Sequence, residues 1–199
     1  MLITLKETAN WLRKLTVPEG GSVLIFGTGP VGLAFCRLSK LMGARFVAMV
    51  GRRAEALKQA QAFGADAVIN SVEQDVGETA RQITDGKGFD RVIDAIGLTS
   101  LIDLAPSVLS FGGRFGLYGV EDAAEGEAAP KLSVPAGGEW SLWQMYPAEH
   151  MAHDEVLGYV QNRKLNLSDY VTHCMPLEDI NEGFELIRKR EALKVVIEI

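Results

Sequence analysis

Residues Val23 to Gly32 read Val-Leu-Ile-Phe-Gly-Thr-Gly-Pro-Val-Gly, and no other stretch restricts the fold so tightly. An apolar run suited to a buried parallel strand stops at Gly27. Gly29 and Gly32 follow at the spacing of the dinucleotide fingerprint, and Leu33 to Met42 have the pattern of the helix that it opens. Each glycine has a separate task. Gly27 turns the chain off the strand, Gly29 has no Cβ to hold a pyrophosphate away, and Gly32 lets the helix pack close against the strand. The helix mouth then offers unpaired N–H groups and a positive dipole end to phosphates. On this reading Gly27, Thr28, Gly29, Pro30, Val31 and Gly32 bind a cofactor. A purely structural glycine turn has the same spacing, but it does not require a β-rich run before it and a helix after it.

The 199 residues suit one domain, or one domain with an appendage. Apolar residues make up 47% of the chain, enough for a sizeable core. A net charge of −6 argues against nucleic acid as the main partner, because a phosphate backbone wants a basic face. No segment approaches the roughly eighteen consecutive apolar residues of a membrane span, so no membrane partner is expected. The N-terminus lacks the basic, apolar and small-residue order of a signal peptide, which makes a cytoplasmic location the expectation. Cys36 and Cys174 stand far apart and read as two reduced thiols rather than a disulfide or metal pair.

Along the chain, Thr4 to Leu15 has an amphipathic helical pattern, broken by Pro18-Glu19-Gly20-Gly21. After the fingerprint helix come a second strand from Phe46 to Val50 and a helix from Ala54 to Phe63 that Gly64 caps. Ala67 to Ile69, Arg91 to Ala95 and Arg114 to Tyr118 read as the third, fourth and fifth strands. Helices are expected over Asp75 to Thr84 and Ser100 to Leu109, with Phe111-Gly112-Gly113 as a turn. Strands alternating with helices at this spacing imply right-handed parallel crossovers. The fold class is therefore α/β, a doubly wound parallel Rossmann sheet in three α/β/α layers. Glu121 to Pro135 reads as a surface loop, and Trp140 to Tyr146 as a sixth strand. Helices follow over Ala152 to Gln161 and Leu177 to Arg188, and Lys194 to Ile199 is a last β run. No partner for that run is evident, which points to a sheet edge outside this chain.

Several stretches, taken in order, form one pattern. They are Val-Pro-Glu-Gly-Gly before the first strand, Gly-Thr-Gly-Pro-Val-Gly, and Ala-Phe-Gly-Ala-Asp-Ala-Val-Ile-Asn ending at Asn70. Phe-Asp-Arg-Val-Ile-Asp-Ala-Ile-Gly ending at Gly97, Gly112-Gly113-Arg114, and Pro-Leu-Glu-Asp-Ile-Asn-Glu-Gly-Phe-Glu-Leu-Ile from Pro176 belong with them, as does Leu193-Lys194-Val195-Val196-Ile197. Together they resemble the zinc-type alcohol dehydrogenase family, the medium-chain dehydrogenase/reductases. The resemblance covers only the cofactor domain, expected over residues 1–170, and the C-terminal return segment, over 171–199. It implies a longer enzyme whose N-terminal catalytic domain, with its zinc ligands and proton relay, lies outside this chain. No catalytic or metal residue is therefore assigned here, and zinc belongs to the missing domain if anywhere. Met1, Leu2 and Ile3, where some members carry a further ligand, are not zinc ligands.

NAD-binding members carry an acid at the end of the second strand, to take the ribose hydroxyls. Here Gly51 stands there, followed by Arg52 and Arg53. Without the carboxylate a 2′-phosphate is not repelled, and a guanidinium can meet it in bidentate geometry, so NADP is the expected cofactor and NAD the alternative. The resemblance also places Ala95, Ile96 and Gly97 along the cofactor. It puts Tyr118, Gly119 and Val120 beside the nicotinamide, and Lys194 near the phosphates. His150 and His153 read as an exposed pair without a third ligand, and Asp94 as hydrogen-bonded structure rather than an acid catalyst. The expectation is the NADP(H)-binding portion of an oxidoreductase acting on a small alcohol or carbonyl substrate, a homodimer through the sixth strand. The alternative is a stand-alone nucleotide-binding or sensor module. A short-chain dehydrogenase would need Tyr-x-x-x-Lys, but His150 follows Tyr146 and Arg163 follows Tyr159 at that spacing.

Overall fold

A computed structural model describes residues 1–119, 140–144 and 148–199. Five parallel pairings join six strands in the order β3-β2-β1-β4-β5-β6. The strands are β1 (Ser22–Phe26), β2 (Phe46–Gly51), β3 (Ala67–Asn70), β4 (Phe89–Asp94), β5 (Leu109–Leu117) and β6 (Trp140–Gln144). The doubly wound parallel fold is thus the one expected.

The three layers follow from strand periodicity, since successive side chains point to opposite faces. In β1, Val23 and Ile25 enter one apolar cluster while Leu24 and Phe26 enter the other. In β2, Val47 and Met49 divide from Ala48 and Val50 in the same way. The first face carries α1 (Leu2–Leu15), α2 (Pro30–Leu41), α3 (Ala54–Ala62) and α6 (His153–Gln161). The second carries α4 (Val76–Ile83) and α5 (Ala105–Val108). Each fully buried Val, Leu, Ile or Phe contributes about 1.5–3 kcal/mol, so this two-sided burial is the main source of stability.

Local chemistry sets the helix ends. Pro30 occupies the first turn of α2, where its missing N–H costs nothing, so the helix starts three residues before the expected Leu33. Gly64 (φ 104°) closes α3 with Gly64 N–H on the Gln61 carbonyl and Ala65 N–H on that of Ala60. Asp75 caps α4, its carboxylate accepting the Glu78 N–H at 2.7 Å. At the far end of α1, the buried Arg91 and its neighbour Arg114 donate to the carbonyls of Leu15 and Thr16, the negative end of that helix.

Three expectations along the chain are corrected. The helix over Ser100 to Leu109 is a 3₁₀ turn (Thr99–Ile102) followed by the single turn of α5, and β5 begins at Leu109. Phe111-Gly112-Gly113 is an irregularity inside β5, because the register shifts between the pairs Phe89–Leu109 and Arg91–Arg114. The last β run also has a partner within the chain: β7 (His173–Pro176) pairs in parallel with β8 (Val195–Glu198), with α7 (Ile180–Arg188) between them.

Candidate dinucleotide site

Strand order reverses between β1 and β4, and a crevice at such a switch point is where open α/β sheets bind ligands. The carboxyl ends of β1, β2, β4 and β5 meet there, bringing together Gly27, Gly51, Ala95 and Tyr118. Gly27 leaves β1 at φ 110°, which a side chain would resist, and its N–H donates to the Val50 carbonyl at 3.0 Å. Gly29 is the N-cap of α2, and its carbonyl receives the Leu33 N–H at 2.9 Å. The amides of Val31 and Gly32 open the helix with no carbonyl a turn earlier to receive them. A Cβ on Gly32 would run into the Gly27 carbonyl, whereas one on Gly29 would meet no heavy atom within 4 Å. The space above the helix mouth is therefore open, within reach of those first-turn amides.

Asp94 organises the opposite wall. Fully buried, its carboxylate accepts the N–H groups of Ile96 and Gly97 on one oxygen and of Leu98 on the other, at 2.8–3.0 Å. Its carbonyl receives the Tyr118 and Gly119 amides, both at 3.0 Å. One residue thereby shapes both loops that the sequence placed along the cofactor. This is the structural role expected of Asp94, though no motif announced its reach. The Tyr118 ring packs edge-on against Trp11 (5.8 Å) and Phe35 (4.9 Å), and its hydroxyl donates to Glu7 at 3.4 Å. Burial, with the Glu7 charge, pushes that phenol up to about 12. Val120 lies outside the described residues, as do the loop from Glu121 to Pro135 and Tyr146.

Beside the fingerprint, β2 ends at Gly51, whose carbonyl receives the Ser71 N–H at 2.9 Å. A Cβ on Gly51 would press on Thr28 and Leu57, a contact that spacing could not reveal. Arg52 is exposed, with no hydrogen-bond or ion-pair partner among the described residues. Arg53, the N-cap of α3, is exposed too, and its Nη1 donates to the Arg190 carbonyl at 2.6 Å. Two cations and a positive helix end therefore flank the crevice. Lys194 lies by the start of α1, where, after burial, it helps lower the Met1 amine, and its carbonyl receives the Thr172 N–H at 3.0 Å.

His150 and His153 are both exposed. Among the described residues no group of three or more His, Cys, Asp or Glu could hold a metal ion. Cys36 is buried, Cys174 is exposed, and both are free. No helix of the described residues is long and apolar enough to cross a membrane.

A family model described as zinc-binding dehydrogenase matches residues 30–136. Alcohol dehydrogenase 1 of Solanum tuberosum is 30% identical over 186 residues, covering 90% of this chain and 48% of the relative. L-threonine 3-dehydrogenase of Bacillus subtilis (strain 168) is 25% identical over 189 residues, covering 90% and 52%. Among solved structures, the alcohol dehydrogenase TADH from Thermus sp. ATN1 superposes with a TM-score of 0.86 at 28% identity, covering all of this chain and 56% of that one. The chain spans about half the length of the curated relatives it matches.

Proposed function

Because this chain belongs to the zinc-binding dehydrogenase family, we propose that it is the NADP(H)-binding portion of an oxidoreductase acting on an alcohol/carbonyl pair. The observation that carries this reading is the open space over Gly29, at the mouth of α2 and beside the β1/β4 switch point. A pyrophosphate there accepts hydrogen bonds from the first-turn amides of α2 and meets the positive end of its dipole. The cofactor would supply the hydride chemistry, NADPH giving a hydride to the carbonyl or NADP+ taking one from the alcohol, and the protein binds and orients it. Gly27 and Gly29 admit the phosphates, while Asp94 holds the 95–98 loop as the facing wall. The carboxylate that would repel a 2′-phosphate is missing at Gly51, and Arg52 and Arg53 supply donors.

Residues 1–170 form the cofactor domain and 171–199 the return segment, with substrate meeting the nicotinamide in a cleft against an N-terminal catalytic domain. Among the described residues no group of three or more His, Cys, Asp or Glu could hold zinc, and the resemblance assigns that ion to the N-terminal domain. In the homodimer, β6 pairs with its mate along the edge of the sheet that it occupies. Titration of the purified chain with NADPH and NADH, followed by cofactor fluorescence, tests the core of the proposal: saturable binding is expected, and binding of neither refutes it. Sedimentation equilibrium tests the dimer, which a monomer at every concentration would exclude.

A further inference from the structure

We propose that Arg190, at the end of α7, is a positioning residue for the dinucleotide site: its carbonyl holds the Arg53 guanidinium ready for a 2′-phosphate. The return segment thus takes part in choosing the cofactor. The inference rests on the reading of Gly51 to Arg53 as the 2′-phosphate site, and it adds to that reading a contact across 137 residues.

The carbonyl is held by its own segment. Arg190 has φ 59°, and the amides around it fold back on α7: Arg190 N–H on the Ile187 carbonyl at 3.0 Å and Glu191 N–H on that of Leu186 at 2.9 Å. This is a Schellman ending with an arginine in the left-handed position usually given to glycine. The next residues are tied to the start of β7, where Leu193 N–H donates to Thr172 Oγ1 at 3.1 Å and the Lys194 carbonyl receives the Thr172 N–H. Pinned on both sides, the Arg190 carbonyl presents the negative end of α7 to a cation.

Arg53 is suited to use it. A guanidinium is a planar fork with five N–H donors, and its 2.6 Å bond to Arg190 occupies one. The remaining donors stay available to a phosphate from a side chain whose rotamer is already chosen. An unanchored arginine would lose that freedom only on binding, which weakens the complex. A cofactor without a 2′-phosphate gains nothing from the anchor. Its effect is therefore on discrimination rather than on nucleotide affinity in general.

The test uses the full chain and both cofactors. Arg190→Pro forces φ to about −65° and swings the carbonyl away, whereas Arg190→Gly keeps the left-handed ending and removes only the side chain. Arg190→Pro should weaken NADPH about threefold to tenfold, equivalent to roughly 0.7–1.4 kcal/mol, and leave NADH unchanged. Arg190→Gly should keep the discrimination of the parent. Hydrogen exchange gives a second readout: NADPH, but not NADH, should slow exchange over residues 186–194. Equal weakening of both cofactors by Arg190→Pro would make Arg190 merely structural and overturn the proposal, as would no weakening of either. A loss of discrimination in Arg190→Gly would move the effect to the side chain and overturn it too. If Arg190→Pro does not fold, Arg53→Lys decides, because an ammonium lacks the rigid planar fork that spans carbonyl and phosphate in fixed geometry. The same NADPH-selective loss is expected there, and parental affinities would end the idea. A parent chain without preference for NADPH refutes the 2′-phosphate reading itself. An Arg53→Ala chain that loses the preference, beside an Arg190→Pro chain that keeps it, refutes only the anchor.

Discussion

Gly29→Ala separates what the ligand demands of the fingerprint from what the fold demands. Gly29 has extended backbone (φ −77°, ψ −179°) that any residue adopts, and a Cβ there meets nothing within 4 Å. The methyl therefore adds no clash to the free protein, and two small backbone effects remain. An N-cap alanine is worse than glycine by about 0.5–1 kcal/mol, while restricting the unfolded chain stabilises by about 0.4–1 kcal/mol. The two nearly cancel, so the melting temperature should move by less than about 2–4 °C, the shift that roughly 1 kcal/mol gives a chain of this size. Cofactor affinity should respond quite differently. The methyl occupies the approach to the Val31 and Gly32 amides, and each charge-assisted hydrogen bond lost costs about 1.5–3 kcal/mol. One such loss weakens binding roughly ten- to a hundredfold, at about 1.4 kcal/mol per decade. Gly32→Ala is the contrast. Its Cβ would overlap the Gly27 carbonyl, so α2 must shift off β1, at about 1–3 kcal/mol in stability as well as a loss of binding. Thermal melts beside fluorescence titrations with NADPH and NADH read both effects. If Gly29→Ala melts and binds like the parent, no phosphate lies over α2 and the proposed site is wrong.

The parent chain should bind NADPH about ten- to a hundredfold more tightly than NADH, less so as salt rises, and Arg52→Ala should weaken NADPH alone. Gly51→Asp should reverse or erase the preference while Gly51→Asn, which presses on Thr28 in the same way, should not; equal effects of the two in the titration would refute a charge mechanism. Gly116→Ala should destabilise by about 1–3 kcal/mol, because its Cβ would overlap the buried Trp11 ring. In urea melts Trp11→Leu should remove most of that penalty, and strict additivity of the two changes would disprove the contact. Stability should fall as pH rises above about 9. Burial holds the Cys36 thiol at about 12 against its usual 9.0 and the Tyr118 phenol at about 12 against 10.0, so the unfolded chain ionises first and gains relative to the folded one until about pH 12. Urea midpoints should drop from pH 9 to 11, with the earliest part of the drop absent in Cys36→Ala; a flat profile would count against buried, protonated groups.

The central sheet was legible because its strands are apolar on both faces and punctuated by glycine. Val23 to Phe26 and Phe46 to Val50 cannot be mistaken for surface. β7 was not legible, because His173-Cys-Met-Pro176 shows neither alternation nor β-branched residues, and its partner lies beyond a helix. Helical periodicity in Ser100 to Leu109 was overruled by the pairing that draws Leu109 into β5. At the site, the fingerprint spacing located the helix mouth. Two features remained invisible because they join residues distant in sequence: the Thr28 side chain that a Cβ at Gly51 would meet, and the bond from Arg53 to Arg190. The buried Asp94 carboxylate had a signal in hindsight. An acid ending an apolar strand, followed by a glycine three residues on, fits a carboxylate that turns back to collect the next amides.

Every pairing in the large sheet is parallel, so each strand reaches its neighbour only through a crossover, and β1 meets β4 across about 68 residues. Contacts of that separation form late, because loop closure must come before they give any return. Ser22 to Asn70 can assemble locally as one half of the sheet, and β4 to β6 as the other. The α2 mouth and Gly51 to Arg53 belong to the first half and the 95–98 wall to the second, so the complete crevice exists in neither. It comes into being at the seam, when β1 and β4 zip together. A nucleotide therefore meets its complete site only once that seam has closed. It acts afterwards on the finished protein, adding RT ln(1 + [L]/Kd) to stability and slowing the escape from it.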